Sequence, residues 1–186
     1  MRIIAGTAKR CRLETPAGLH TRPTTDGVRG AAMSQLGGFF AGGRVLDLCA
    51  GSGAVALEFL SRGCTAAVAI DNDAAAVACM RANAERSRLG PRLRICQAEV
   101  LLELARLVAT QQRFEYVWLD PPWESPVYAE VLQALAAGHL ITQDGDLFVE
   151  SRKPLPASLY DAHWQLCDGR RYGAGWLQRL EPKGEQ

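Results

Sequence analysis

From Arg44 onward the chain alternates short apolar runs with longer helix-forming stretches, and this rhythm restricts the fold more than any other feature. Val45-Leu46-Asp47-Leu48-Cys49 predicts a buried strand, and residues 53–62 predict a helix that ends near Gly63. Ala66-Ala67-Val68-Ala69-Ile70 predicts a second strand, followed by an Ala-rich helix over 74–88 that Gly90-Pro91 stops. Residues 93–96, 114–119 and 147–149 continue as strands, with helices over 99–111 and 127–137 between them. Strands and helices alternating at this spacing predict a parallel, doubly wound sheet with right-handed crossovers. The tail departs from the rhythm. Residues 164–167, then Asp168-Gly169, then 172–180 predict a hairpin that adds antiparallel strands. Ahead of the sheet, Thr25 or Asp26 can cap a helix running toward Phe40. Gly27, Gly30, Gly37 and Gly38 weaken it, at about 1 kcal/mol per interior glycine. Residues 1–14 predict a small hairpin.

A chain of 186 residues that is 48% hydrophobic suits one domain with a short extension. No apolar run approaches the roughly 18 residues of a membrane span, and the opening turns basic too soon for a secretory signal. The expectation is a cytoplasmic protein with no membrane contact. The six cysteines contain no C-x-x-C pair and the three histidines are scattered, so no metal site is expected and the thiols read as small buried hydrophobes. The net charge of +1 looks unfavourable for nucleic acid. It is unevenly distributed, however. Residues 1–29 carry six basic side chains against Glu14 and Asp26, a net of +4, which leaves −3 for the remainder. The expected division is a basic, RNA-binding arm over 1–29 and a catalytic domain over 30–186.

The first chemistry-bearing stretch, Asp47-Leu48-Cys49-Ala50-Gly51-Ser52-Gly53, lies between the first strand and its helix. Ligands of open α/β sheets bind at the carboxyl ends of strands. Glycines 51 and 53 permit close backbone approach, and the helix start offers free N–H groups. Gly51-x-Gly53-x-x-Ala56, with Asp71 about 20 residues on, also fits the dinucleotide fingerprint, so this stretch alone leaves NAD and S-adenosylmethionine open. Two features separate them. Asp47 supplies a carboxylate that attracts a cationic amino group and offers a pyrophosphate nothing. Asp120-Pro121-Pro122-Trp123 follows the fourth strand, where hydride transfer has no use for it.

Together these residues resemble the class I S-adenosylmethionine-dependent methyltransferases that act on exocyclic amino groups. The likeness extends to Arg2-Ile3-Ile4-Ala5-Gly6, to Lys9-Arg10-Cys11-Arg12-Leu13, to Arg22-Pro23-Thr24-Thr25-Asp26-x-Val28-Arg29 and to Arg171-Tyr172-Gly173. Over almost its whole length the chain is similar to the RsmD-type family, which methylates N2 of a guanine in bacterial 16S rRNA, with guanine 966 as the family target. The resemblance implies a Rossmann-like class I methyltransferase with a mostly parallel seven-stranded sheet, an antiparallel C-terminal hairpin and a short basic extension. It implies S-adenosylmethionine as cofactor, held by Asp47, Ala50, Gly51, Ser52, Gly53, Asp71, Asn72, Gln97 and Ala98. Asp71 would accept from the ribose hydroxyls, whereas Asp73 reads as a helix cap. The catalytic positions would be Asp120, Pro121, Pro122 and Trp123. There the Asp120 side chain and the Pro121 carbonyl accept the two amino hydrogens, and Trp123 stacks on an extruded base for roughly 1–3 kcal/mol. Arg2, Lys9, Arg10, Arg12, Arg22, Thr24 and Arg29 would contact rRNA. Where the family reads R-V-R-E, this chain has Gly27-Val28-Arg29-Gly30.

The implied partner is 16S rRNA, either naked or within the assembled small subunit, and a monomer is the default. Other amino targets, adenine N6 or a protein glutamine, remain open, as does a non-catalytic RNA-binding relative. Transfer to cytosine C5 needs a cysteine nucleophile, and none of the six follows a proline.

Overall fold

The computed structural model describes residues 1–16, 25–123 and 125–184. The apolar runs form β1 (Arg44–Leu48), β2 (Ala66–Asp71), β3 (Leu93–Gln97), β4 (Phe114–Leu119) and β5 (Ile141–Ser151), all parallel. With β6 (Trp164–Tyr172) and β7 (Gly175–Pro182) they make one seven-stranded sheet in the order β3-β2-β1-β4-β5-β7-β6. Both β7 pairings are antiparallel. The mostly parallel seven-stranded sheet with an antiparallel C-terminal hairpin is the arrangement that the resemblance implies.

Helices cover both faces, so the central strands have no solvent side, and β1 is buried over its last four residues. On one face lie α1 (Asp26–Gln35), α2 (Ala54–Ser61) and α3 (Ala74–Ser87), with Phe59, Met80, Trp118 and Phe148 in the core. On the other lie α4 (Val100–Ala109) and α5 (Tyr128–Ala137), over Leu46, Leu48, Leu119 and Val149. Asp73 caps α3 as expected, accepting from the N–H groups of Ala75 (2.6 Å) and Ala76 (3.0 Å). Among the described residues no helix is long and apolar enough to cross a membrane.

Three boundaries differ from the sequence reading. Thr25 caps α1, but the helix ends at Gln35 rather than near Phe40, because Gly37 and Gly38 take φ of +81° and +85°. The expected division after residue 29 therefore falls inside a helix. Strand β5 runs eight residues further than the three apolar positions that mark it. Asp168-Gly169 is no turn: it lies within β6 at a register shift, and the reversal comes at Gly173-Ala174. Gly173 has φ of +61°, the left-handed value a two-residue hairpin needs at its first central position. Arg171-Tyr172-Gly173 thus closes β6 instead of leading the last strand.

Residues 1–14 do form a hairpin, with Arg2 bridged to Arg12. It is docked along α2. The fully buried Glu58 carboxylate accepts from the N–H groups of Ile4 (2.8 Å) and Ala5 (3.1 Å) and pairs with Arg62 Nε at 2.6 Å. Thr7 N–H donates to the Ser61 carbonyl at 2.8 Å. At the other end Glu14 N–H donates to Asn83 Oδ1 (2.8 Å), while Asn83 Nδ2 donates to the Ser52 carbonyl (3.0 Å). Ile3 and Leu13 are buried in the α1–α2–α3 core. The arm is therefore part of the folded unit. Gly6 permits the closest approach: at φ +84°, a Cβ there would lie 1.8 Å from the Ser61 carbonyl oxygen. Gly6→Ala is expected to lower unfolding stability by about 1–3 kcal/mol and to expose the arm to proteolysis. A denaturant titration with limited digestion checks both, and a wild-type midpoint would refute the docking account.

Candidate active site

Parallel pairing puts the carboxyl ends of β1, β2 and β4 at one edge, since Leu48 is in register with both Ile70 and Leu119. The loop after β1 coils tightly there, with positive φ at Cys49 (+61°), Gly51 (+54°) and Gly53 (+73°). Asp71 holds it: one carboxylate oxygen accepts from Gly51 N–H at 2.8 Å, the other from Asp73 N–H at 3.0 Å. A Cβ on Gly53 would come within 3.0 Å of Met80 Cγ, whereas one on Gly51 would enter open space. Gly53 thus serves packing and Gly51 leaves room for a ligand. Asp47 is 1% exposed and accepts from Ala56 N–H at 3.0 Å. Burial raises its carboxyl to about 7, against the opposing pull of that hydrogen bond.

These groups border a cavity of about 1090 Å³. Of the expected cofactor residues, Asp47, Ala50, Gly51, Ser52, Asp71, Asn72 and Ala98 line it, and so do Asp120, Pro121, Pro122 and Trp123. Two do not. Gly53 sits behind the loop. Gln97 ends the outer strand β3 with its side chain exposed, so the cavity is met instead by Ala98, whose N–H donates to the Asp71 carbonyl at 3.1 Å. Sequence reasoning missed Glu99, which accepts from Asn72 Nδ2 at 2.9 Å. Its position directly after Ala98 was the available signal. It also missed Cys49, Trp118, Thr15 and Pro16. The last two reach the cavity only because the hairpin is docked, and nothing local announces that.

Asp120 is half-buried, and its N–H donates to the Leu48 carbonyl at 3.3 Å. The turn beyond it closes with Ser125 N–H on the Pro122 carbonyl at 2.8 Å. Trp123 is half-buried at the rim, beside β7: a Cβ on Gly175 would lie 3.2 Å from its Cζ2. Beneath the site Tyr128 hydroxyl donates to the Glu150 carbonyl at 3.1 Å.

The expected RNA residues separate. Arg2 and Arg12 are exposed on the hairpin, and Arg2 lies 3.5 Å from Asp26. Lys9 and Arg10 are exposed in the turn that docks by Ser61, the end of α2 away from the cavity. An eight-residue helix puts that end about 12 Å from Gly53. Arg29 is a correction. Its side chain is fully buried, donating to the Arg2 carbonyl at 2.6 Å and the Asp26 carboxylate at 2.8 Å, so it braces the arm from inside. Arg22 and Thr24 lie outside the described residues.

The lining bears five carboxylates, Asp47, Asp71, Asp73, Glu99 and Asp120, and no Lys or Arg among the described residues. Such a cavity repels a pyrophosphate and suits a ligand with a cationic end and hydroxyl groups. Burial, with Asp71 and Asp120 nearby, pushes the Cys49 thiol in its wall up to about 12, which disfavours the thiolate.

The family model described as "Conserved hypothetical protein 95" matches residues 1–180. Bacillus subtilis YlbH, whose assignment as an rRNA methyltransferase is itself provisional, is 31% identical over 81% of this chain and 82% of its own. The "Ribosomal RNA small subunit methyltransferase D" of Escherichia coli K12 is 28% identical over 100% of this chain and 92% of its own. A solved Escherichia coli structure, yhhF, provisionally described as a methyltransferase, superposes with a TM-score of 0.84 at 26% identity, covering 100% of this chain and 99% of its own.

Two measurements test the site chemistry. A carboxyl raised from 3.8 to about 7 in the folded state favours its protonated form, so its stabilising contribution is complete below 3.8 and lost as pH rises through 7. Asp47→Asn is expected to remove that component. The stability difference between wild type and variant should grow in the variant's favour from pH 4 to pH 8, and a constant difference would refute the raised value. For the thiols, an alkylating reagent at pH 8 is expected to label exposed Cys167 while sparing Cys49 and Cys64, both pushed up to about 12, until the protein unfolds. Peptide mass mapping reads the pattern.

Proposed function

Because the chain belongs to the conserved hypothetical protein 95 family, that of the RsmD-type rRNA methyltransferases, we propose that it methylates the exocyclic N2 of a guanine in 16S rRNA, guanine 966 by family analogy, with S-adenosylmethionine as methyl donor. The observation that carries this reading is an acidic cavity, with no Lys or Arg in its lining among the described residues and with Asp120-Pro121-Pro122-Trp123 along its wall. The residues fit the donor. Asp47 complements an ammonium, Asp71 has lone pairs left for ribose hydroxyls beyond its two backbone bonds, and Gly51 leaves open the space its side chain would fill. Bound there, S-adenosylmethionine supplies an electrophilic methyl on a sulfonium sulfur.

The chain's own task is to make a poor nucleophile competent. A guanine amino nitrogen delocalises its lone pair into the ring. In the proposed mechanism the Asp120 carboxylate and the Pro121 carbonyl accept its two N–H bonds, draw it toward a tetrahedral shape and aim the lone pair along the line of displacement. Once the nitrogen has accepted the methyl, its surplus proton would leave through the Asp120 carboxylate. The rigid Pro-Pro pair fixes the acceptors, and Trp123 offers a face for the extruded base. A raised Cys49 thiol agrees with direct transfer rather than a covalent intermediate. On the RNA side, exposed Arg2 and Arg12 are proposed phosphate contacts, with Arg22 and Thr24 proposed on resemblance alone. Arg29 is excluded by burial, and Lys9 and Arg10 are set back from the cavity.

Asp120→Ala is expected to lower methyl transfer by at least about 100-fold while S-adenosylmethionine binding stays nearly unchanged. The decisive assay incubates the protein and labelled donor with naked 16S rRNA and, in parallel, with assembled small subunits, then maps the modified nucleoside. Label on N2 of guanine supports the reading. Normal turnover by the variant, or label on another atom, overturns it.

A further inference from the structure

We infer that the carboxyl end of β5 and the tip of the β6–β7 hairpin form a second phosphate-binding surface for the RNA, built from Arg152, Lys153, Arg170 and Arg171. The inference deepens the rRNA reading and rests on it. Arg152 and Lys153 come directly after Ser151, the last residue of β5, and so stand on the same sheet edge as the catalytic cavity. Register brings the other two alongside. Trp176 pairs with Ser151 on one side and with Arg171 on the other, so Arg171 lies two strand spacings, about 10 Å, from the end of β5. All four basic side chains are exposed. Arg170 holds Asp168 at 3.0 Å while remaining 66% exposed, and Arg171 Nε donates to the Gly173 carbonyl at 3.1 Å, so the hairpin itself orients both guanidinium groups.

The surface joins the proposed target-base site. Gly175, first residue of β7, sits against the Trp123 ring, and a Cβ there would come within 3.2 Å of it. Alternation along β6 puts Arg170 and Tyr172 on the Trp123 face of the sheet and Arg171 with Trp176 on the other. Guanidinium groups thus straddle the hairpin tip, interleaved with the half-buried aromatic rings of Trp123, Tyr172 and Trp176. Basic and aromatic groups so mixed suit an unpaired or splayed RNA strand, whose phosphates meet the arginines while its bases find flat faces. The N-terminal hairpin approaches the cavity from α2, at the other side of Asp120. RNA held at both places would be fixed on either flank of the flipped nucleotide, which a single arm cannot do.

The test compares wild type with the R152Q/K153Q/R170Q/R171Q variant in binding a 16S rRNA fragment across a salt series. Each phosphate contact contributes about 0.7 to the slope of log affinity against log salt, so losing four contacts should make the variant's slope shallower by about 3. The KM for RNA should rise at least tenfold, with kcat and S-adenosylmethionine affinity kept. A charge-retaining R152K/R170K/R171K variant should preserve the slope. An unchanged slope in the glutamine variant, or an equal loss in the lysine variant, overturns the surface while wild-type methylation of the RNA leaves the functional reading standing. A wild-type protein that neither binds nor methylates the fragment or the small subunit overturns both.

Discussion

The site depends on one pairing constraint: β1 is hydrogen-bonded in parallel to β2 and β4 at once, with Leu48 opposite Ile70 and Leu119. The segments that leave those three residues must emerge at the same edge. They are Cys49 with the glycine loop, Asp71, and Asp120. Residues far apart in sequence thus become walls of one cavity without any contact between their side chains being needed to gather them.

At that edge a few carboxylates do several tasks each. Asp71 accepts from Gly51 and Asp73 N–H groups, shaping the loop, and still faces the cavity. Asp47 secures the first turn of α2 through Ala56, and its burial makes it a reluctant anion until a cation arrives. Glu58 acts at a distance from the chemistry. By accepting from Ile4 and Ala5 it converts a basic extension into a docked hairpin, and the docked hairpin delivers Thr15 and Pro16 to the cavity wall.

The alternation of apolar runs and helix formers made the five parallel strands and their helices legible, because buried strands and amphipathic helices have distinct periods and lengths. Asp47, Gly51, Asp71 and Asp120-Pro121-Pro122-Trp123 were legible for a related reason: strand-end positions in such a sheet face its ligands. The misreadings have specific causes. Asp168-Gly169 carries the local signature of a hairpin turn, but both residues pair with β7, the register shift falls just before them, and pairing continues to Tyr172. Gln97 was expected at the cavity from the family resemblance, yet at the end of the edge strand β3 its side chain is exposed. Arg29 reads as a surface cation in a basic segment. Its burial results from the docking of the arm over α1, where the Arg2 carbonyl and Asp26 compensate the charge.

The sequence by itself determined the parallel core, the acidic and glycine-rich strand ends and the family to which the chain belongs, since each is written in short-range pattern. Only the tertiary structure decided which basic residues stand near the cavity. Docking through Glu58 and Ser61 carries Lys9 and Arg10 away from it and closes Arg29 inside, while strand pairing brings Arg170 and Arg171 to the edge where β5 ends. Charge is countable along a chain, but its place relative to a site depends on contacts between segments distant in sequence, and those exist only once the sheet has formed.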